Sequence, residues 1–250
     1  MPNKPAEFDG FAERYRDERA GDLGKFAKYG GSAFLYKAQF LKKLFKKEPR
    51  SILDFGCGVG GNIPYLRDHF KNARLFGCDI SSKSVEIAEK DYEYCQFDVV
   101  EDVGGLKIYK EGIDCVFIST VMHHIPPNEH KSWIDGLHGI LSDDAGLIGG
   151  GGGVICVFEH NMNNPVTKSV VTNAVVDRDA TMLSAPYCKR LLQNAFCRAK
   201  IDGKELKLAR DRVKLKYTYF FPWRNPLFTG MERLLHWVPF GAQYCVYAEK

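Results

Sequence analysis

The chain has 250 residues, and its 35 lysine and arginine residues exceed its 31 aspartate and glutamate residues to give a formal net charge of +4. This length suits one α/β domain with a substantial apolar core, and two independent domains are not required. The nearly balanced charge lacks the strongly basic character of dedicated nucleic-acid-binding proteins, so charge alone identifies no partner.

Eight cysteines are scattered along the chain, mostly within apolar runs, and no two of them form a CxxC pair. We expect them to be reduced and mostly buried rather than joined in a disulfide framework. The first residues lack the apolar stretch of a signal peptide, and no later run reaches the roughly 18 to 20 apolar residues that span a membrane. We therefore expect a cytoplasmic protein without a transmembrane segment, while peripheral membrane contact stays open and no oligomeric state is indicated.

Residues 1–48 are rich in aromatic and basic side chains, and their stretch FLYKAQFLKKLF has apolar residues at helical spacing. This pattern predicts an N-terminal helical cap. Over residues 49–160, short apolar runs alternate with amphipathic segments, which predicts βαβ units, a parallel sheet and a cofactor-binding core. Five strands are predicted there, at SILDF, RLFGCD, EYCQF, IDCVFIST and GVICVFE.

Two helices of this core have recognisable starts, because Pro64 suits a first helical turn and Ser81 or Ser82 suits an N-cap. After residue 160 we expect a helix at PYCKRLLQNAF and two more strands at VKLKYTYFFP and AQYCVYAEK. Residues 161–250 are thus predicted to hold an acceptor-side insertion and the final two strands of a single domain. The five glycines at 149–153 predict a loop, since ordering glycine is entropically costly.

The stretch ILDFGCGVGG follows the first predicted strand and matches two glycine patterns, GxGxxG and DxGxGxG. Glycine is needed in such a turn because the backbone adopts positive φ and the ligand lies against it. The first pattern holds a pyrophosphate in dinucleotide-binding folds, which keeps NAD open as a ligand. Asp54, two residues before Gly56, would repel a pyrophosphate but can help to hold an ammonium group. The second pattern therefore favours S-adenosylmethionine.

Two further acids support this interpretation. Asp79 ends the second predicted strand, where a carboxylate can hold ribose hydroxyls, and Asp98 ends the third, where it can accept a hydrogen bond from an adenine amine. Open α/β sheets bind ligands at the carboxyl ends of their strands, so Asp54, Asp79 and Asp98 are expected at one edge.

These motifs resemble those of the class I S-adenosylmethionine-dependent methyltransferases. LDFGCGVGG is similar to the first motif of that family, FGCDIS to the second and FDVV to the third, and DCVFISTVMHHIP resembles its fourth-strand segment. The resemblance implies a Rossmann-like α/β fold with a seven-stranded sheet, six strands parallel and the last antiparallel, and helices on both faces.

The resemblance also implies which residues hold the cofactor. Gly56, Gly58 and Gly60 would lie against the methionine part, Asp79 would hold the ribose and Asp98 would meet the adenine. The other expected cofactor-binding residues are Cys57 in the first motif, Ile80 and Phe97 flanking the adenine, the backbone of Ser119 facing the amino group, and Tyr15 in the cap.

A narrower resemblance covers FEHNMNNPVTKSVV and ERLLHWVPFGAQYCV, which are similar to a bacterial subgroup with EHNxxNP and WxPxGxQY motifs that is often linked to glycan assembly. Two departures affect the expected acceptor site, because LIGGGGG precedes the fifth strand and RAKIDGKELKLARDR is longer than the subgroup pattern.

Four polar residues at strand ends are candidates for catalysis. His123 and His124 follow the fourth predicted strand, and Glu159 and His160 end the fifth. An imidazole has a pKa suited to deprotonating a hydroxyl or an amine, and adjacent histidines leaving a strand point in different directions. We expect methyl transfer from S-adenosylmethionine to a small molecule or glycan, at oxygen, with no metal site. The alternatives are a nucleic-acid methyltransferase, an NAD-dependent oxidoreductase and a non-catalytic binding protein. The first of these lacks support, because HHIP stands where base-methylating enzymes have an Asn/Asp-Pro-Pro-aromatic motif.

Overall fold

The structure is a computed structural model that describes residues 9–10, 12, 27–110, 112–174, 177–196, 200–201, 204–205, 212–221, 231–232 and 234–250. Its helices are α1 (Ala27–Leu44), α2 (Ile63–His69), α3 (Ser82–Asp91), α4 (His130–Gly139), α5 (Pro165–Asn173) and α6 (Ala185–Phe196). Its strands are β1 (Ser51–Phe55), β2 (Arg74–Asp79), β3 (Cys95–Val99), β4 (Cys115–Ser119), β5 (Val154–His160), β6 (Lys200–Ile201), β7 (Lys204–Glu205), β8 (Lys214–Thr218) and β9 (Gln243–Glu249).

Seven strands form one sheet in the order β3-β2-β1-β4-β5-β9-β8. The pairs β1–β2 and β2–β3 are parallel, with Asp54 opposite Gly77 and Cys78 opposite Asp98. The last strand, β9, is antiparallel to both β5 and β8. The predicted fold class and its seven strands are therefore confirmed. The two-stranded pair of β6 and β7 was not predicted from the sequence.

The described residues group into two compact units, the first comprising Met1–Phe117 and Ile140–Gly153 and the second comprising Ile118–Gly139 and Val154–Lys250. In the first unit, every residue of β1 is buried. The helix that follows the glycine turn contains Pro64 in its first turn, as predicted. Of the two predicted caps for α3, Ser81 is the N-cap, because its hydroxyl accepts a hydrogen bond from the amide of Ser84 at 3.0 Å.

In the second unit, β5 and β9 form a long buried antiparallel pair, and α6 packs against both β9 and α4. The loop before β9 is fixed by residues that directly follow β5, whose last residue pairs with the first residue of β9. Asn161 Nδ2 donates to the carbonyls of Pro239 and Gly241 at 3.0 and 2.7 Å, and Asn164 Nδ2 donates to the carbonyl of Phe240 at 2.7 Å. The EHNxxNP and WxPxGxQY segments, about eighty residues apart in the chain, are thus joined by hydrogen bonds.

All seven cysteines in the described part of the chain are free and buried, as expected from their apolar surroundings. Cys197 lies outside the described residues. Among the helices that the structure describes, none is long and apolar enough to cross a lipid bilayer.

Two glycines of the second unit should respond in opposite ways to alanine. A Cβ on Gly241 would lie 2.5 Å from the carbonyl oxygen of Thr218, whereas a Cβ on the exposed Gly139 would meet nothing within 4 Å. We expect Gly241→Ala to lower the free energy of unfolding by about 1–3 kcal/mol through overpacking. Gly139→Ala should raise it by about 0.5–1 kcal/mol, because alanine is the better helix former. Urea unfolding of both variants measures the difference, and equal stabilities would contradict the backbone contact at Gly241.

Candidate functional site

The glycine turn, Gly56 to Gly60, begins where β1 ends and is held against β2. The amides of Gly56 and Cys57 both donate to the carbonyl of Cys78, at 2.8 and 3.0 Å. Gly56, Gly58 and Gly60 have φ values of 71°, 52° and 77°, in the left-handed region that favours glycine. These dihedral angles explain why three alternating positions of this turn are glycine.

The glycines of the turn differ in what surrounds them. A Cβ built on Gly58 would meet no atom within 4 Å beyond its chain neighbours, so open space lies in front of this backbone. A Cβ on Gly60 would lie 2.7 Å from the ring of Tyr92, so this position is closed by α3. Cys57 is buried, and its thiol points to the carbonyl of Gly58 at 3.5 Å. Among these residues, Gly58 has the open surface.

Asp79 lies beside this open backbone and is fixed by main-chain amides. Its Oδ2 accepts a hydrogen bond from the amide of Gly58 at 2.8 Å, and its Oδ1 accepts one from the amide of Ser81 at 3.0 Å. Burial raises the pKa of Asp79, although the amide hydrogen bonds favour the charged form and oppose that shift. Asp79 is thus a preoriented carboxylate, and Ile80, next to it, is partly exposed.

Asp54 is completely buried, and its Oδ2 accepts a hydrogen bond from Asn62 Nδ2 at 3.1 Å. Burial raises the pKa of Asp54 to about 7, against the opposing effects of Asn62 and of the positive charge of Lys37. Asn62 Oδ1 is a buried acceptor without a partner among the described residues. The structure therefore adds Asn62 to the residues around the turn. The expected contact of Asp54 with an ammonium group stays a prediction.

Asp98 lies one residue before the end of β3, which pairs with β2. Its Oδ2 accepts a hydrogen bond from the hydroxyl of Tyr109 at 3.1 Å, and its side chain is partly exposed. Phe97 instead points into the protein, where its ring lies 2.6 Å from the position that a Cβ on Gly77 would take. The glycine at residue 77 thus makes room for the Phe97 ring, and the proposed role of Phe97 beside an adenine stays a prediction.

One further residue reaches this region from the N-terminal segment. Asp9 Oδ1 accepts hydrogen bonds from the Ser81 hydroxyl at 2.6 Å and the Lys83 amide at 3.2 Å, at the start of α3. No sequence pattern indicated Asp9, because its partners are more than seventy positions away. Tyr15, the predicted cofactor-binding residue of the cap, lies outside the described residues.

In the second unit, β4 ends at the buried residue Ser119. The carbonyl of Ser119 accepts a hydrogen bond from the hydroxyl of Thr120 at 2.6 Å. Thr120 has a φ of 57°, which is rare for a β-branched residue and stores strain. The Thr120 amide donates to the carbonyl of Phe158 at 2.8 Å, which holds the strained turn against β5. No sequence pattern indicated this feature, since threonine disfavours positive φ.

Glu159 organises the residues that follow β4. Its Oε1 accepts hydrogen bonds from the amides of Val121 and Met122 at 3.1 and 2.8 Å, and its Oε2 lies 2.6 Å from His123 Nδ1. Both side chains are buried. Burial opposes ionisation of Glu159, but the charge of His123 and the hydrogen bonds outweigh it, so the pKa of Glu159 is below its usual value.

His123 lies between two carboxylates, since its Nε2 is 3.3 Å from Asp177 Oδ1. Burial lowers the pKa of His123, yet the charge of Glu159 and the contacts of Asp177 dominate and raise it to about 10. His123 is therefore protonated at neutral pH when nothing else is bound. A buried imidazolium with both nitrogens engaged does not serve as a general base.

His124 and His160 are more exposed than their neighbours His123 and Glu159. His124 Nε2 lies 3.5 Å from Asp177 Oδ1, and burial together with the charge of His123 lowers the pKa of His124 to about 4. The ring of His160 is 5.4 Å from that of His123, measured between centroids. The four predicted catalytic residues thus lie together in one unit, and Asp177, which the sequence did not indicate, joins them.

Comparisons with known proteins bear on this arrangement. Residues 52–144 match the family model described as "Methyltransferase domain". The tRNA N(3)-methylcytidine methyltransferase Mettl2 of Drosophila melanogaster is 29% identical over 103 residues, which are 38% of this chain and 32% of that protein. The malonyl-[acyl-carrier protein] O-methyltransferase of Hahella chejuensis is 27% identical over 109 residues, 43% of this chain and 36% of that protein. The matched stretches span between 32% and 58% of the length of the curated relatives.

A solved structure resembles nearly the whole chain. The plantazolicin methyltransferase BpumL, in complex with S-adenosylhomocysteine, superimposes with a TM-score of 0.60 and 17% sequence identity, covering 99% of this chain and 98% of that one. At this identity the likeness concerns the fold. Residues 52–144 therefore match a methyltransferase domain, and the chain that contains them has the fold of S-adenosylmethionine-dependent methyltransferases.

Proposed function

We propose that the chain transfers a methyl group from S-adenosylmethionine to an oxygen of a small molecule or glycan. The observation that carries the cofactor assignment is the open backbone at Gly58 beside the preoriented carboxylate of Asp79. A ligand can lie against Gly58 without meeting a side chain, and a carboxylate with two oxygens suits two vicinal ribose hydroxyls.

The remaining groups of the first unit fit the same ligand. Asp98 Oδ1 accepts no hydrogen bond from the described residues and would accept one from the adenine amine, and the buried Asn62 Oδ1 would accept one from the ammonium group. A negative charge on Asp54, which an ammonium group would stabilise, disfavours a pyrophosphate under the same turn and argues against NAD. The family resemblance also implies that Gly56 and Ile80 lie beside the ligand, and the expected contact of the Ser119 backbone with the amino group stays a prediction.

The bound cofactor supplies an activated methyl group, and the transfer is an in-line displacement in which alignment lowers much of the barrier. Among the four candidate residues, buried Glu159 and His123 are positioning residues that fix the loop after β4. His160 and His124, being partly exposed, are the imidazoles that can approach an acceptor hydroxyl and take its proton. We favour His160, because burial and the charge of His123 lower the pKa of His124 to about 4, which makes His124 a weak base at neutral pH.

A nucleic-acid acceptor is the second candidate, and the relative that acts on tRNA supports it. The near-neutral charge balance of the chain does not favour it, since tRNA binding relies on many phosphate contacts. Methylation of a panel that contains hydroxylated small molecules, glycans, lipid-linked glycans and tRNA, with labelled S-adenosylmethionine, separates the two.

We expect His160→Ala to lower the rate of methyl transfer at least about 100-fold, a typical contribution of a general base, while calorimetry finds the affinity for S-adenosylhomocysteine unchanged. The matched control is His69→Gln on α2, whose histidine contacts the carbonyl of Tyr65 at 2.9 Å. Wild-type turnover by His160→Ala would remove this residue from the mechanism. Failure of the folded wild-type protein to bind S-adenosylhomocysteine would overturn the cofactor assignment itself.

A further inference from the structure

Three side chains of the second unit bring their ligand atoms together in the manner of a metal site. His123 Nε2, His124 Nε2 and Asp177 Oδ1 all lie within 4.8 Å of one another. The two histidines share the short turn after β4, and Asp177 comes from the loop after α5. That loop is fixed to the histidines, since the amide of Thr181 donates to the carbonyl of His123 at 2.8 Å.

The distances within this group fit a tetrahedral ion better than a hydrogen bond. Asp177 Oδ1 is 3.3 Å from His123 Nε2 and 3.5 Å from His124 Nε2. A charge-assisted N–H···O hydrogen bond is normally about 2.7–2.9 Å long. Ligands about 2.0–2.1 Å from a zinc ion in tetrahedral geometry are separated from each other by about 3.3–3.4 Å. The separations to Asp177 therefore match two edges of such a coordination polyhedron.

The other nitrogen of His123 supplies a second, independent observation. Its Nδ1 lies 2.6 Å from Glu159 Oε2, and both side chains are buried. A metal-binding histidine usually donates its second N–H to a carboxylate, which fixes the tautomer and directs the free nitrogen to the ion. Glu159 is itself anchored by the amides of Val121 and Met122. The structure thus contains both the ligands and the support that a metal site requires.

We infer that His123, His124 and Asp177 form a binding site for a divalent transition-metal ion with a tetrahedral preference, for which Zn²⁺ is the natural probe. Two imidazoles and one carboxylate are ligands that zinc accepts, and three protein ligands leave one coordination position open. The side chains of His124 and Asp177 are 19% and 9% exposed, so an ion can reach the site from solvent.

The charge of the surroundings agrees with this assignment. The carboxylates of Glu159 and Asp177 lie on either side of His123, at 2.6 and 3.3 Å from its two ring nitrogens. A divalent ion held by His123 and Asp177 would add positive charge beside these two carboxylates. With the ion bound, His124 would be a ligand and would not serve as a base.

The inference is tested by metal binding on the resting protein, so it does not depend on the proposed methyl transfer. After dialysis against a chelator, titration with Zn²⁺ should show one ion bound per chain. Asp177→Asn and His124→Gln should each weaken binding at least about 100-fold, and Glu159→Gln, which alters only the supporting carboxylate, about 10–100-fold. Circular dichroism verifies that each variant is folded, and His124→Gln is a conservative choice because its side chain is partly exposed.

Cobalt substitution identifies the ligand atoms. Co²⁺ in this site should give the visible absorption of a tetrahedral nitrogen and oxygen complex without thiolate charge-transfer bands. His69→Gln is the control for binding to an unrelated histidine and should leave the affinity unchanged. Absence of Zn²⁺ binding by the wild-type chain would overturn the inference. So would equal affinities of wild type, Asp177→Asn and His124→Gln, or a thiolate spectrum.

Discussion

Glu159→Ala should lower the free energy of unfolding by about 3–5 kcal/mol, the range found when one partner of a buried ion pair is removed. Glu159 and His123 are both buried and 2.6 Å apart, so the substitution leaves a charged imidazole with one fewer counter-charge. It also leaves the buried amide of Met122 and the amide of Val121 without their acceptor. Both effects act in the same direction, because unpaired polar groups away from water destabilise the folded state.

The measurement is chemical unfolding in the presence of a chelator, so that no bound ion contributes to stability. The matched control is Glu86→Ala, which removes a carboxylate that also contacts a basic side chain at short distance, Lys90 at 2.7 Å, but on the exposed face of α3. Exposed pairs at this spacing contribute little, and the unfolding midpoint of Glu86→Ala should stay close to that of the wild type. If the two variants unfolded at the same denaturant concentration, the buried network around Glu159 would not have the importance that its geometry indicates.

A double-mutant cycle extends the same measurement. Glu159→Ala and His123→Ala should each lower the free energy of unfolding, and the sum of the two decreases should exceed the decrease in the double variant. The reason is that removing one partner already leaves the other unpaired. Additive losses would instead show that the two residues act independently, and the short contact between them would then carry no net energy.

The parts of this protein that were predictable from the sequence are those that depend on local pattern. The strands could be predicted because apolar runs recur between helical segments, and the ends of β1, β2 and β3 place Asp54, Asp79 and Asp98 where parallel strands end. The cap of α3 by Ser81 and the position of Pro64 likewise follow from preferences of neighbouring residues.

The remainder depends on contacts between distant residues, which a single sequence does not encode as a pattern. Asp177 meets His123 across 54 positions, and Asn161 meets Gly241 across 80. Thr120 adopts a backbone conformation that its own side chain disfavours, so only the surrounding structure imposes it. The candidate site was therefore predictable as a set of strand-end residues. The roles within it, with His123 as a buried cation rather than a base, follow only from the three-dimensional structure.

Asp79→Asn should weaken the binding of S-adenosylhomocysteine about 100-fold. In the proposed complex the two carboxylate oxygens accept hydrogen bonds from two ribose hydroxyls, and each charge-assisted bond contributes about 1.5–3 kcal/mol. Losing about 3 kcal/mol of this interaction corresponds to a hundredfold change in the dissociation constant. Asp98→Asn should weaken the binding of S-adenosylhomocysteine only about tenfold. A single hydrogen bond to the adenine amine is affected, and the carbonyl oxygen of the asparagine still accepts a hydrogen bond.

Asp79 also holds the amides of Gly58 and Ser81, so the loss of affinity must be separated from a distorted turn. A cofactor analogue that lacks the ribose 2′-hydroxyl provides this separation. The wild type should bind that analogue much more weakly than S-adenosylhomocysteine, whereas Asp79→Asn should bind the two with similar affinity, since the group that recognises the hydroxyl is already absent. Asp68→Asn, on the exposed side of α2, should behave like the wild type with both ligands. If Asp79→Asn still discriminated between the two ligands as strongly as the wild type, the ribose would be held by another residue, and the assignment of Asp79 would be wrong even though the cofactor binds.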